Sequence, residues 1–361
     1  MYKMGYYENI LKNTVIKEDA VILGIESSCD ETAASIVKGG REILSNVIIS
    51  SATEHVKYGG VVPEIASRMH TVAINNAVER AFKEADIPFG QVDAIAVTYG
   101  AGLLGALLVG VSYAKALAFA LNKPLIPVSH IRGHLSAAYL ADKNLQPPFI
   151  GLIASGGHTA IIAVKDWVEF GILGSTLDDA VGEAFDKVAR LLHLPYPGGP
   201  NIEKLASGGK NCIPFTKMLK GEDSLDFSYS GLKTQVANYV HNAEQRGIEI
   251  NKADVACSFQ TAAVEAIVER LIKAVQKTGI KRIAAGGGVV ANGFLRESIT
   301  KACKERDISL ILPEKKYCTD NAAMIASEGF IQYKMRNFSD LTLNAVASMP
   351  LGKKGVQKCR K

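Results

Sequence analysis

Ala20-Val21-Ile22-Leu23-Gly24-Ile25-Glu26-Ser27-Ser28-Cys29-Asp30-Glu31-Thr32-Ala33-Ala34-Ser35-Ile36-Val37 is an apolar run, a group of small and charged residues, and a second apolar run. That order predicts strand, polar turn and strand. Phe149-Ile150-Gly151-Leu152-Ile153-Ala154-Ser155-Gly156-Gly157-His158-Thr159, continued by Ala160 to Val164, has the same design. One such hairpin opens each half of the chain, which suggests an internal duplication of structure without a sequence repeat. Outward from the first hairpin, residues 63–85 have helical periodicity, with Ile65, Met69, Val72 and Ala73 on one side. Asp93 to Thr98 reads as a buried strand, and Gly100-Ala101-Gly102-Leu103-Leu104-Gly105 opens an apolar helix ending near Leu121. Arg282 to Ala285, the turn Gly286-Gly287-Gly288 and a helix from about Asn292 repeat this pattern. Strand Leu310 to Leu312 then leads to Thr319-Asp320-Asn321 and a helix ending near Met335. Strand, glycine turn and helix in succession is an α/β signature. Residues 141–148 and 208–226 read as loops, and no linker separates independent domains, so two interleaved lobes are expected.

At 361 residues and 38.6 kDa, the chain has room for two cores. Hydrophobic residues at 48% and charged residues at 21% argue for a globular enzyme and against wholesale disorder. The net charge of +5 is local: Lys353, Lys354, Lys358, Arg360 and Lys361 account for the excess of 41 basic over 36 acidic residues. A basic tail of this kind grips phosphates weakly, and composition alone does not establish RNA binding. The 6 cysteines are scattered without a CxxC pair, as expected for free thiols in a reducing cytoplasm. Residues 1–19 mix Lys3, Lys12 and Lys17 with Glu8, Glu18 and Asp19, so no secretory leader is expected. Residues 101–121 resemble a membrane span, but their glycines, Ser112, Tyr113 and Lys115 favour a buried helix and no membrane association.

His130 and His134 lie four apart, which places both imidazoles on one helical face and makes a candidate metal half-site. Asp320 and His158 are the contenders for a third ligand; Asp320 would otherwise be a helix N-cap, and His158 would otherwise satisfy its glycine turn. An HExxH protease is disfavoured, ranking third, because Ile131 stands where the general-base glutamate belongs. Four glycine turns, at 100–105, 155–157, 197–200 and 286–288, offer backbone N–H groups at helix starts and point to a nucleotide or another anion. Neither the P-loop nor the dinucleotide fingerprint is present. Asp178 is read as the N-cap of a helix with Val181, Phe185, Val188, Ala189 and Leu192 as its apolar stripe. Glu183 and Asp186 share the opposite face. Gly182 inside that helix predicts a close approach by another segment.

Gly24-Ile-Glu-Ser-Ser-Cys-Asp-Glu-Thr32, Tyr58-Gly-Gly-Val-Val-Pro-Glu-Ile-Ala-Ser-Arg68, His130-x-x-x-His134, Ser155-Gly-Gly-His-Thr159, Gly182-Glu-Ala-Phe-Asp-Lys187, Tyr196-Pro-Gly-Gly-Pro200, Phe227-Ser-Tyr-Ser-Gly-Leu-Lys-Thr234 and Cys318-Thr-Asp-Asn-Ala322 occur in this order. Together they resemble the tRNA threonylcarbamoyladenosine transferases, the bacterial TsaD family once described as sialoglycoproteases. The resemblance spans about residues 21 to 345, with Ala101 standing where the family has proline.

It implies an actin-like, sugar-kinase-like (ASKHA) α/β fold, two lobes with duplicated mixed sheets around a central cleft. The expected divisions are an extension at 1–19, lobe I at 20–130, lobe II at 131–320 with the metal and nucleotide cleft, a C-terminal helix at 321–345 packing back toward lobe I, and a basic tail at 346–361. The implied reaction moves threonylcarbamoyl from threonylcarbamoyl-AMP to N6 of the adenosine 3′ of the anticodon, position 37 of tRNAs reading ANN codons, and releases AMP. Carried across, His130, His134 and Asp320 hold one divalent metal, iron before zinc. Ile153, Ala154, Ser155, Gly156, Gly157, Asp186, Gly199 and Asn292 contact the adenylate, with Glu203 near its ribose. The implied partners are tRNA, a non-catalytic TsaB-like paralogue and a small TsaE-like ATPase. The alternatives are a small-molecule kinase of the same fold, a metalloprotease and a non-catalytic scaffold. Glu26 in place of an Asp-x-Gly turn argues against the kinase, and the histidine pair against the scaffold.

Overall fold

The computed structural model describes residues 2–167, 170–216 and 223–349. The described residues divide into two compact units, one of residues 2–145 with 320–349 and the other within residues 146–319. The basic tail beyond residue 349 lies outside the described residues.

The first unit begins with α1 (Tyr2–Asn13), then β1 (Val21–Glu26), β2 (Glu31–Lys38), β3 (Glu42–Ser50), α2 (Ala52–Val56), α3 (Pro63–Ala85), β4 (Ala94–Gly100), α4 (Leu104–Leu121), β5 (Leu125–Ser129) and α5 (His130–Ala141). The second holds β6 (Phe149–Ala154), β7 (Thr159–Val164), β8 (Phe170–Ser175), α6 (Val181–Leu191), α7 (Gly198–Ala206), α8 (Ser230–Gln245), α9 (Lys252–Thr278), β9 (Arg282–Gly286), α10 (Gly293–Lys304) and β10 (Ser309–Ile311). The chain then returns to the first unit with α11 (Ala322–Lys334).

The duplication is one of topology. The first sheet runs β3-β2-β1-β4-β5 and the second β8-β7-β6-β9-β10. In each, an antiparallel meander of three strands is extended by two parallel strands. Alternation along each strand decides what covers the first sheet. Leu23, Ile25, Ile36, Ile95 and Val97 pack on one side with Ile74, Val78, Leu107 and Val111 of α3 and α4. Ile22, Val37, Ala96, Ile126 and Val128 pack on the other with Ala137 of α5 and Ala323, Met324 and Ile325 of α11. In the second unit Ile150, Leu152, Ile161 and Ile283 pack with Phe185, Ile202, Phe259, Ile267 and Leu295.

The unit boundaries fall at 145/146 and 319/320, whereas the sequence reading drew them at 130/131 and 320/321. The reason is packing: α5 lies against α11 on the first sheet, so the helix that follows β5 belongs to the unit that β5 belongs to. The extension at 1–19 supplies α1, and its buried Tyr7 donates from the phenol to the Lys123 carbonyl at 2.9 Å. Helix α4 is buried along one face only, through Ala106, Leu107, Gly110, Val111, Ala114 and Ala118, while Leu104 and Leu108 are exposed. Among the described residues it is the one helix long and apolar enough to cross a membrane, and its buried face packs on β4 and α3.

Candidate functional site

Strand β5 ends at Ser129 and α5 starts at once, so His130 opens the helix and His134 follows one turn later. Both imidazoles are buried, with ring centroids 4.5 Å apart. Asp320 precedes α11, where sequence reasoning allows an ordinary N-cap. That task falls to Asn321, whose Oδ1 accepts from the Met324 N–H at 3.0 Å. The Asp320 carboxylate is turned instead to the histidines, Oδ1 lying 3.5 Å from His130 Nε2 and 3.3 Å from His134 Nε2. Gly24 permits this approach: a Cβ there would stand 2.3 Å from the Ala322 carbonyl oxygen and 2.6 Å from the Ala326 nitrogen. Helix α11 therefore lies directly on β1, with its first turn beside the end of that strand.

Glu26 ends β1 with no exposure at all. Its Oε1 accepts from the Ser28 N–H at 2.5 Å, and its Oε2 from Thr98 Oγ1 at 2.6 Å. Oε2 also lies 3.1 Å from His130 Nδ1. Burial alone would raise the Glu26 pKa, but the charge and hydrogen bond of His130, with Ser28 and Thr98, hold it below the ordinary carboxylate range. Burial works against a charged His130 too, yet Asp320 and then Glu26 push its pKa up to about 9. Asp320 is pushed up to about 6 by burial, with Glu26 and Asp30 adding repulsion that His130 only partly offsets. Burial, then Asp320 and Asp30, raise Glu31 to about 9. These groups make an acidic, water-poor neighbourhood in which a cation would be stabilised. Among the described residues, His130, His134 and Asp320 are the one group whose ligand atoms all lie within 4.8 Å of one another. Two imidazoles and a carboxylate, one imidazole backed by a second carboxylate, fit a divalent transition metal. His158 belongs to the second unit, where its backbone closes the β6–β7 turn through Ser155 N–H to the His158 carbonyl at 2.8 Å.

The remaining candidates lie in the second unit. Ile153 and Ala154 end β6, and Ser155-Gly156-Gly157 form its turn to β7. Gly156 and Gly157 are open, and a Cβ on either would meet nothing within 4 Å, so the turn presents bare backbone to a ligand. The close approach expected at Gly182 is present: a Cβ there would lie 2.7 Å from the Ser155 carbonyl oxygen and 2.8 Å from Gly156 Cα. Gly182 is the second residue of α6, so the helix begins against the turn. Asp186 on α6 accepts at Oδ1 from the Gly198 N–H at 2.8 Å, which fixes the start of α7 beside the open Gly199. Asn292 caps α10 by accepting from the Leu295 N–H at 2.9 Å. Glu203 Oε1 accepts from the Gly293 N–H at 2.8 Å, so Glu203 and Asn292 meet at that helix start.

One local assignment is corrected. Asp178 does not cap α6; its Oδ1 accepts from the Tyr229 and Ser230 N–H groups at 2.8 and 3.2 Å, at the start of α8. Thr159 Oγ1 serves the Val181 N–H instead, at 2.8 Å, because β7 runs beside the first turn of α6. Sequence reasoning also missed the anchoring role of Glu26, although one acid ending an otherwise apolar strand is a visible signal. It missed Glu328 too. That buried carboxylate on α11 accepts from Arg132 Nε at 2.5 Å and Ser136 Oγ at 2.7 Å, both on α5.

The family model for TsaD, tRNA N6-adenosine threonylcarbamoyltransferase, matches residues 42–327. Proteins of that name from Clostridium botulinum strain Kyoto and Clostridium novyi strain NT are each 51% identical to the chain, over 340 and 341 residues; both alignments cover 94% of this chain and 100% of the relative. The Clostridium perfringens protein is 51% identical over 335 residues, covering 92% of this chain and 99% of the relative. Among solved structures, full-length HypF superposes with a TM-score of 0.59 at 16% identity, over 89% of this chain and 57% of that one. HypF of T. kodakarensis gives 0.58 at 16% identity, over 89% and 48%. The fold is thus the actin-like, sugar-kinase-like one, and the kinase alternative is not favoured. The chain belongs to the TsaD family, the tRNA N6-adenosine threonylcarbamoyltransferases, and is an acyltransferase that places threonylcarbamoyl on the N6 of a tRNA adenosine.

Proposed function

We propose that the first unit holds one divalent metal, iron in preference to zinc, on His130, His134 and Asp320, and that the second unit binds threonylcarbamoyl-AMP as donor. The observation that carries the metal reading is the release of Asp320 from helix capping by Asn321, with the carboxylate turned to two buried imidazoles. Bound there, the metal supplies Lewis-acid stabilisation of charge developing during the transfer. The donor reading rests on the bare Ser155-Gly156-Gly157 turn beside the first turn of α6 and on the starts of α7 and α10. Backbone N–H groups and positive helix ends at such places suit a nucleotide phosphate. Ile153 and Ala154 lead into that turn, Asp186 and Gly199 flank the start of α7, and Asn292 and Glu203 offer polar groups for the ribose and base.

The donor is a mixed carbamic–phosphoric anhydride and is already activated, so no side-chain nucleophile is needed. The N6 lone pair of the adenosine at position 37 attacks the carbamoyl carbon, and the bond from that carbon to the phosphate oxygen breaks. AMP leaves with the electron pair, and the amine loses a proton. The protein contributes alignment and anion binding. The target base has to leave its stack, which is cheaper in an anticodon loop than in a duplex. The charge-balanced body of the chain gives little nonspecific grip on RNA, which supports assistance from a non-catalytic TsaB-like paralogue and a small TsaE-like ATPase in the cytoplasm. The test combines the protein, both partners, threonylcarbamoyl-AMP and unmodified tRNA. Formation of the modified nucleoside by wild type and its loss, together with the metal, in His130→Ala is the expected result. Full transfer by metal-free His130→Ala refutes the metal's role.

A further inference from the structure

We propose that Glu26 is the positioning residue for the metal ligand His130, holding Nδ1 protonated so that the Nε2 lone pair is presented toward Asp320 and His134. This rests on the metal reading above and adds a residue to it. A carboxylate with no solvent exposure, at the end of an apolar strand, carries a desolvation penalty that core packing does not require. Its surroundings show what it is organised around. The Ser28 N–H holds Oε1, Thr98 Oγ1 holds Oε2, and the lone pairs left on Oε2 face His130 Nδ1 at 3.1 Å. Ser28 Oγ lies 3.1 Å from the same ring nitrogen. The two donors come from the β1–β2 turn and from β4, so the carboxylate cannot rotate without losing one of them. With Nδ1 donating to Glu26, Nε2 is the nitrogen left to give up its proton to a metal, and it is Nε2 that lies 3.5 Å from Asp320 Oδ1. A carboxylate behind a ligating imidazole fixes its tautomer and orientation and strengthens it as a donor.

Glu26→Gln removes this service with little change of shape. The carboxamide has one oxygen for three donors, and its NH₂ faces one of them donor to donor. Glu26 bears on the metal through His130, so metal affinity is the direct readout. Wild type, Glu26→Gln, Thr98→Val and His134→Ala are stripped of metal, checked for folding by circular dichroism, and titrated with cobalt(II) and zinc(II) against a chromophoric chelator. Glu26→Gln is expected to bind each metal about 10–100-fold more weakly and to shift the visible absorption of the cobalt form. Thr98→Val, which frees the carboxylate without deleting it, is expected to lose affinity in the same direction by a smaller factor. Wild-type affinity in both variants, with His134→Ala losing the metal, overturns the role of Glu26 and leaves the metal centre standing. No binding by wild type overturns both. A lower melting temperature of the metal-free Glu26→Gln protein with unchanged affinity marks Glu26 as merely structural and also overturns the proposal. If Glu26→Gln does not fold, Thr98→Val decides: unchanged affinity and an unchanged cobalt spectrum overturn it.

Discussion

Gly182→Ala tests whether the β6–β7 turn seats the donor, because the new methyl group meets backbone that has no rotamer to yield. The added Cβ would stand 2.7 Å from the Ser155 carbonyl oxygen, 2.8 Å from Gly156 Cα and 2.9 Å from Gly156 N, where ordinary contact begins at 3.4 Å. The turn or the helix start therefore has to move by roughly 0.7 Å, an overpacking cost of about 1–3 kcal/mol. Alanine returns part of this through helix propensity, less than about 1 kcal/mol because Gly182 lies in the first turn of α6. The net loss of stability is then about 0–3 kcal/mol, small enough to leave a folded enzyme. A displacement approaching 1 Å in a group that aligns reactants costs on the order of 100-fold in rate. The variant is accordingly expected to lose about 10–100-fold in kcat/KM for threonylcarbamoyl-AMP while its metal content stays that of wild type. Steady-state kinetics at saturating tRNA, metal analysis and a thermal melt read the three quantities. Near-normal kcat/KM in a variant whose melting temperature has dropped would show that the turn moved and the donor did not depend on it.

Glu328→Ala removes the acceptor on α11 for Arg132 and Ser136 of α5, and losing a half-buried, charge-assisted hydrogen bond of this kind costs about 1.5–3 kcal/mol. A drop in melting temperature, accompanied by weaker metal retention, is expected, because the clamp joins the helix carrying both histidines to the one that follows Asp320. Burial works against an ionised Asp179, but bonds to Lys187 and Lys233 outweigh it and hold its pKa below the ordinary value. A depressed carboxylate stabilises the fold above its unfolded pKa of about 3.9, and that contribution is lost as the pH falls through the folded value. Asp179→Asn should therefore melt below wild type at neutral pH, with the gap closing below about pH 4 in paired melting curves. Dialysis against a strong chelator should abolish transfer and lower the melting temperature, with both restored by iron(II) or zinc(II); transfer that survives complete metal removal contradicts the metal assignment.

Elements whose residues advertise themselves were legible before the structure. The two hairpins alternate apolar runs with turn residues, and their pairing across two sheets of one topology follows from that pattern. Gly182 signalled its close neighbour because a glycine near the start of a regular amphipathic segment gives up helix propensity, a loss that makes sense where a second backbone needs the space. Capping was less legible. Asp178 and Asp320 both stand where a helix begins, and both have the side chain of a cap, yet one serves a different helix and the other serves none. An N-cap depends on which carboxylate or hydroxyl the tertiary structure brings to the first turn; for α6 that was Thr159, far back in the sequence.

The same distinction separates the two layers of the metal centre. Histidines four apart declare themselves because one helix sets their geometry. Glu26 and Thr98 are joined to His130 only by the strand order β1-β4-β5, which puts the ends of three parallel strands side by side and the start of α5 above them. In a parallel pair every strand ends at the same edge, so the residues at those ends are neighbours whatever their separation in sequence. An acid closing one such strand and a threonine near the close of the next are thus brought to the residue that opens the helix after the third. Glu26 is predictable once the strands are known to be parallel and adjacent, and only then. The direction of inference therefore runs from topology to the second layer of the site, which is why substitutions at Glu26 and Thr98 test the fold assignment and the metal assignment together.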